Sequence, residues 1–196
     1  GDDATDVTTF VQGVDTTTGP SATNLAGAVV TGLLAGQDIR LNATTLDADG
    51  ILVSGAGVID VASIGNGPLT NFGLTVQSAT ATGAVSIGGF EIGSLTTLAG
   101  AYDVSLLDNG TVTGDTNFLN TGVVTLGDQG DAIDELNFNG GLDTTQNAET
   151  RIAANVRTVD TQMDLSSVLL TGNSTIRSGA GAVNVVSISG PAQTLT

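Results

Sequence analysis

The chain of 196 residues contains no cysteine, no histidine, no tryptophan and no lysine. Without cysteine or histidine it cannot assemble a Ser-His-Asp or Cys-His nucleophile, a thiolate redox centre or an ordinary zinc site. Aromatic residues make up only 3% of it, so a core built on Phe, Tyr and Trp is not expected. Its four basic residues, Arg40, Arg151, Arg157 and Arg177, stand against 20 acidic ones, for a formal net charge of −16. Such a chain has no basic patch to neutralise phosphates, which excludes nucleic acid and anionic membranes as partners. No apolar run approaches the roughly 18 residues of a membrane span, so membrane insertion is not expected either.

What is present is small and β-prone. Ala, Val, Ile and Leu carry most of the 40% hydrophobic fraction, and 28 glycines accompany abundant Thr, Asn and Asp. Mean hydropathy is positive despite the charge, which argues for a folded chain rather than a disordered one. Seventeen of the twenty acids are Asp, a residue that suits turns better than helices. The run from Leu33 to Leu41 comes nearest to a helical pattern, and Gly36 weakens it.

Self-comparison reveals a long repeat. Residues 3–17 lie over residues 131–145 without a gap, and eight of the fifteen positions are identical, where this composition gives about one by chance. Thr23, Leu25, Ala26, Val29 and Thr31 then fall over Thr150, Ile152, Ala153, Val156 and Thr158, and residues 55–64 over 179–188. The chain is thus read as one domain, residues 1–196, holding about one and a half copies of a roughly 125-residue unit, in which residues 3–68 match 131–191.

Within the unit, short β-type runs alternate with turn residues. Strands are expected at 103–107, 111–113, 122–126, 135–138, 151–153, 156–159, 167–171, 175–177 and 183–189, separated by Asn-, Asp- and Gly-rich corners. Asp47-Ala48-Asp49-Gly50 reads as a further turn. The pattern predicts an all-β fold, a parallel β-solenoid without substantial helix, in which small aliphatic side chains stack inside at the rung spacing of about 4.8 Å. At about 20 residues per coil it would have about ten coils and a length of about 45–50 Å. A β-sandwich also has many short strands, but requires no long internal repeat.

The strings Thr111-Val112-Thr113-Gly114, residues 120–127, residues 136–142 and Ser178-Gly179-Ala180-Gly181 resemble the giant bacterial beta strand repeat proteins, which are similar to the filamentous-haemagglutinin class of secreted β-helices. The resemblance implies a right-handed β-helix, extracellular or at the cell surface, that is adhesive or filament-forming.

Chemistry in the turns is sparse. Asp128, Asp131, Asp134 and Glu135 form the densest acidic stretch, and oxygen ligands gathered at a corner could hold Ca²⁺. The calcium-repeat signature G-G-x-G-x-D is missing, so a solvated acidic loop is the plainer reading, with no other cofactor indicated. Paired carboxylates are the only acid-base machinery available to a polysaccharide hydrolase or lyase, and with one tyrosine and four arginines to present to a sugar the chain is not expected to be an enzyme. A threonine array ordering water would need Thr-x-Thr in every coil, which is not seen. Arg151, Arg157 and Arg177 are expected to pair with neighbouring Asp.

The leading expectation is a structural subunit that stacks end to end into a homopolymeric filament, sheath or adhesin. Its first rival is a calcium-stabilised adhesin arm that meets a carbohydrate or protein receptor through loops near residues 65–71 or 88–93.

Overall fold

In a computed structural model, residues 5–19, 21–32, 34, 36–67, 71–128, 130, 133–190 and 193–196 are described. They form a parallel β-solenoid of about eight turns, with no helix among them. Every strand pair runs parallel, and each strand pairs with strands one turn before or after it; the long strand Ile39–Ser54 thereby pairs with both of its neighbours in sequence, Thr23–Thr31 and Ile59–Asn66.

The pairings resolve into three columns, visited in turn by each coil. The first climbs through Val7, Ala28, Ile51, Thr75, Thr96, Asn117, Asp143, Asp164 and Asn184. The second climbs through Val14, Ile39, Ile59, Val85, Val104, Val124, Thr150, Val168 and Ile188. The third contains Thr23, Thr44, Ile64, Phe90, Gly110, Leu136, Val156 and Ile176.

Strand alternation decides what fills the interior. In the second column Leu41, Val61, Ile87, Leu106, Leu126, Ile152 and Leu170 form a continuous aliphatic ladder, all of it buried. The intervening positions, Arg40, Asp60, Ser86, Ser105, Thr125 and Arg151, point the other way, as the period of two requires. The few aromatics are spent inside: Tyr102, Phe118 and Phe138 are fully buried and Phe90 nearly so. A ladder of this kind buries each side chain against the coil below and the coil above, so its stability is a sum of neighbouring-coil contacts.

The turn count falls short of ten because coils exceed 20 residues wherever a loop protrudes. Val156 lies under Ile176, 20 positions on, whereas Gly110 lies under Leu136, 26 positions on. Eight rungs at the usual strand spacing give a rod of about 38 Å. The expected turn at Asp47–Gly50 is also corrected. It belongs to the long strand Ile39–Ser54, which bends from the third column into the first while keeping its ladder. The bend is held by carboxylates reaching to other rungs: Asp49 Oδ1 accepts from the Gly73 N–H at 2.8 Å and Asp47 Oδ2 from Asn24 Nδ2 at 2.8 Å. Of the run that comes nearest to helix, Ile39–Leu41 opens this strand.

The long repeat is preserved corner by corner but displaced around the rod. Asp15 Oδ1 accepts from the backbone N–H and hydroxyl of Thr17 at 2.8 and 2.6 Å, and Asp143 Oδ1 does the same for Thr145 at 2.7 and 2.7 Å. Thr16, Thr23 and Asn42 join their side chains at 2.8–3.2 Å, as Thr144, Thr150 and Ser166 do at 2.7–2.9 Å. Ser54 Oγ donates to the Gly57 carbonyl at 2.7 Å, and Ser178 Oγ to that of Gly181 at 2.5 Å. Yet Val14 stacks in the column of Thr150, while its counterpart Leu142 stacks in the column that leads to Met163. From Val7 the chain completes five turns to Asn117 and then two further columns before reaching Glu135, so matched segments sit one column apart. The corner rules are therefore local: the same residues turn the chain wherever around the rod they fall.

Tyr102 gives this interior a spectroscopic handle, being the sole tyrosine in a chain without tryptophan. Its hydroxyl donates toward the Leu98 carbonyl at 2.7 Å and that of Val76 at 3.1 Å, and burial pushes its pKa well above the ordinary 10.0. A group whose folded pKa is raised contributes stability that is complete below the unfolded value, about pH 10, and is lost as pH climbs beyond it. Alkaline titration followed by phenolate absorbance is expected to show no ionisation near pH 10 and then a single cooperative rise coincident with loss of β-sheet circular dichroism. Ionisation at about pH 10 with the fold intact would contradict a buried Tyr102.

Candidate binding groove

The outer surface of the third column carries two parallel rows. One runs Glu91, Thr111, Asn137, Arg157, Arg177 and the other Glu135, Asn155, Thr175. Inward Leu136, Val156 and Ile176 alternate with them, so the pattern that fills the core also fixes which polar groups face out. Between these rows and the corner after Thr158 lies a groove of about 430 Å³, lined by Glu135, Asn155, Arg157, Asp160, Thr175 and Arg177 among others. Val159 supplies an apolar wall and is 48% exposed. Asp160 holds the corner in the left-handed conformation at φ 54°, where short polar side chains are best tolerated.

The expected arginine pairings hold in part. Arg151 Nε reaches Glu149 Oε1 at 2.8 Å, a glutamate rather than an aspartate and two positions away on its own strand. Arg40 bridges Asp38 at 2.9 Å and Asp60 at 3.6 Å, the second on the next coil. Arg157 and Arg177 pair with no carboxylate among the described residues; they occupy the same position of adjacent coils. The acids in their groove are held by neutral donors. Asn155 Nδ2 donates to Glu135 Oε1 at 2.5 Å, and the Ala180 N–H donates to Asp160 Oδ1 at 2.8 Å.

The acidic stretch expected as a calcium candidate is spread over both sides of the wall. Asp134 is buried and its Oδ2 accepts from the Asp128 N–H at 3.0 Å, whereas Glu135, the next residue, is exposed. Asp128 Oδ1 accepts from the Gly130 N–H at 2.7 Å, and Asp131 lies outside the described residues. No three acidic side chains come together as a metal cluster among the described residues. Of the expected receptor loops, Asn66, Gly67, Asn71, Glu91 and Ile92 line a second depression of about 300 Å³ together with Thr111 and Thr113, on the same face as the groove; residues 68–70 lie outside the described residues.

Sequence reasoning missed the arginine pair, although the signal was available. Both residues fall in expected strands, 20 positions apart, and placing Ile176 over Val156 sets them at the same position of adjacent coils. The fold and this face define a β-helix repeat protein with a polar groove along one side. No protein-family model, no curated protein and no solved structure matches the chain.

Proposed function

We propose that the chain is a structural β-solenoid segment of an extracellular filament, sheath or adhesin of the filamentous-haemagglutinin type, in which coils of successive copies stack end to end. One observation carries the reading. In the coil built on Val183–Ser189 the inward rows continue but lie open: Val183 is 41% and Ile188 47% exposed, where the residues beneath them, Met163 and Val168, are buried. A coil in this state presents apolar side chains together with backbone donors and acceptors that a further parallel coil satisfies, and a coil of the same chain or of the next copy does so by the same contacts. Contacts of one end with the other do not close and so propagate.

Electron microscopy and light scattering of the purified chain test this. Rods longer than one chain, growing with concentration, are expected, and Ile188→Asp is expected to shorten them without changing the circular dichroism of the isolated chain. Monodisperse monomers at every concentration and ionic strength would overturn the proposal. Side-by-side bundling is a separate matter, because the charge of −16 repels parallel rods until salt or divalent cations screen it.

The groove beside Arg157 and Arg177 favours a second reading, in which the rod also presents a receptor-binding surface for a carbohydrate. Its polar side chains are held at fixed rung spacing on a rigid wall, which lowers the ordering cost of binding.

A further inference from the structure

We propose that Arg157 and Arg177 together bind the carboxylate of an acidic sugar, a uronate, in the groove they share. The proposal rests on the carbohydrate-binding reading and adds the ligand's charge and the residues that select it.

In a chain with 20 acidic and four basic residues, two arginines without a carboxylate partner among the described residues are unexpected on composition alone. Their mutual placement adds a cost. Arg157 and Arg177 occupy the same position of adjacent coils, and like charges directly opposite on neighbouring strands repel. The groove's own acids form no ion pair with either arginine; Glu135 accepts instead from Asn155 and Asp160 from the Ala180 N–H. Two guanidinium forks, exposed and adjacent along one row, are thus left to an external oxyanion, and planar carboxylates match such forks with paired hydrogen bonds.

The rest of the groove indicates what carries the carboxylate. Asn155 and Thr175 offer amide and hydroxyl groups, Glu135 and Asp160 offer acceptors for sugar hydroxyls, and exposed Val159 offers an apolar wall for a ring face. A volume of about 430 Å³ accommodates a unit of sugar size. A single negative charge is favoured over a polyanion, because the field of a chain at −16 opposes the approach of many like charges while the local arginine pair attracts one.

The test is titration of the whole chain with galacturonate, acetate and neutral galactose, monitored by the arginine side-chain and backbone amide resonances of residues 155–160 and 175–179. Saturable binding of galacturonate, stronger than that of either control, is expected. Arg157→Gln and Arg177→Gln are each expected to weaken it by about ten- to a hundredfold, the usual effect of losing a charge-assisted hydrogen bond. Because each substitution also removes the repulsion between the pair, the unliganded variants are expected to melt no lower than the parent. Galactose binding as well as galacturonate would overturn the acidic-sugar proposal and leave the carbohydrate reading standing. Acetate matching galacturonate would overturn the sugar component. No saturable binding by any of the three would overturn the proposal together with the carbohydrate reading, while leaving the end-to-end stacking intact. Variants that melt markedly lower would show that the arginines serve the fold instead.

Discussion

Leu106→Ala is expected to cost about 2–5 kcal/mol of stability, and Ile188→Ala less than about 1. The two residues are both aliphatic members of the second column, so the difference isolates position along the rod. Leu106 is fully buried, with Ile87 beneath it and Leu126 above, and both are themselves buried. Truncation there removes transfer free energy and leaves a void that cannot collapse, because hydrogen-bonded strands on either side fix the rung spacing. Ile188 stacks on Val168 from one side alone and is 47% exposed, so only part of its surface is lost from contact. Urea unfolding followed by circular dichroism gives both values. In a nearest-neighbour stack a weakened middle interface also divides the cooperative unit. Amide exchange in Leu106→Ala is therefore expected to accelerate first in Val85–Ile87 and Val123–Leu126 rather than at the ends. Equal costs at the two positions, or exchange accelerated uniformly, would contradict stacked-coil energetics.

The parallel stack was legible in the sequence because its corners are written in residue types. Asp108-Asn109-Gly110 and Ser178-Gly179 bracket their strands to within a residue or so: Thr175–Arg177 and Val183–Ser189 fall as expected. The number of turns was not legible, because no residue type announces that the step from Gly110 to Leu136 spans 26 positions where that from Val156 to Ile176 spans 20; both appear only once the ladder is drawn. For the same reason the repeat could be aligned without revealing its displacement around the rod. The match of Asp15-Thr16-Thr17 to Asp143-Thr144-Thr145 reports a shared corner, and a corner carries no information about which of three columns it serves. The acidic stretch failed to resolve as a site for a related reason. Adjacent strand residues face opposite sides, so Asp134 and Glu135, neighbours in sequence, are separated by the wall of the rod.

Gly110→Ala is the sharpest probe of the interior, because its effect is expected to reverse sign with the residue beneath it. Gly110 stands on Phe90 in the third column, and a Cβ at that position would lie 2.2 Å from Cε1 and Cζ of the Phe90 ring. The backbone there has no left-handed strain to account for the glycine, so the missing side chain is the space into which the ring extends. With Phe90 in place, alanine forces the ring off its rotamer or lifts the coil, at about 1–3 kcal/mol. Phe90→Ala alone opens a cavity and is expected to cost about 3–5 kcal/mol. In that background Gly110→Ala adds a methyl to vacant volume and removes glycine's excess freedom in the unfolded chain, a gain of about 0.5–1 kcal/mol. The double variant is therefore expected to be more stable than Phe90→Ala itself, with a coupling of about 2 kcal/mol between the two positions. Additive costs in a urea-unfolding cycle would mean that the ring does not rest over Gly110, and the register that places Phe90, Gly110 and Leu136 on successive coils would fall with it.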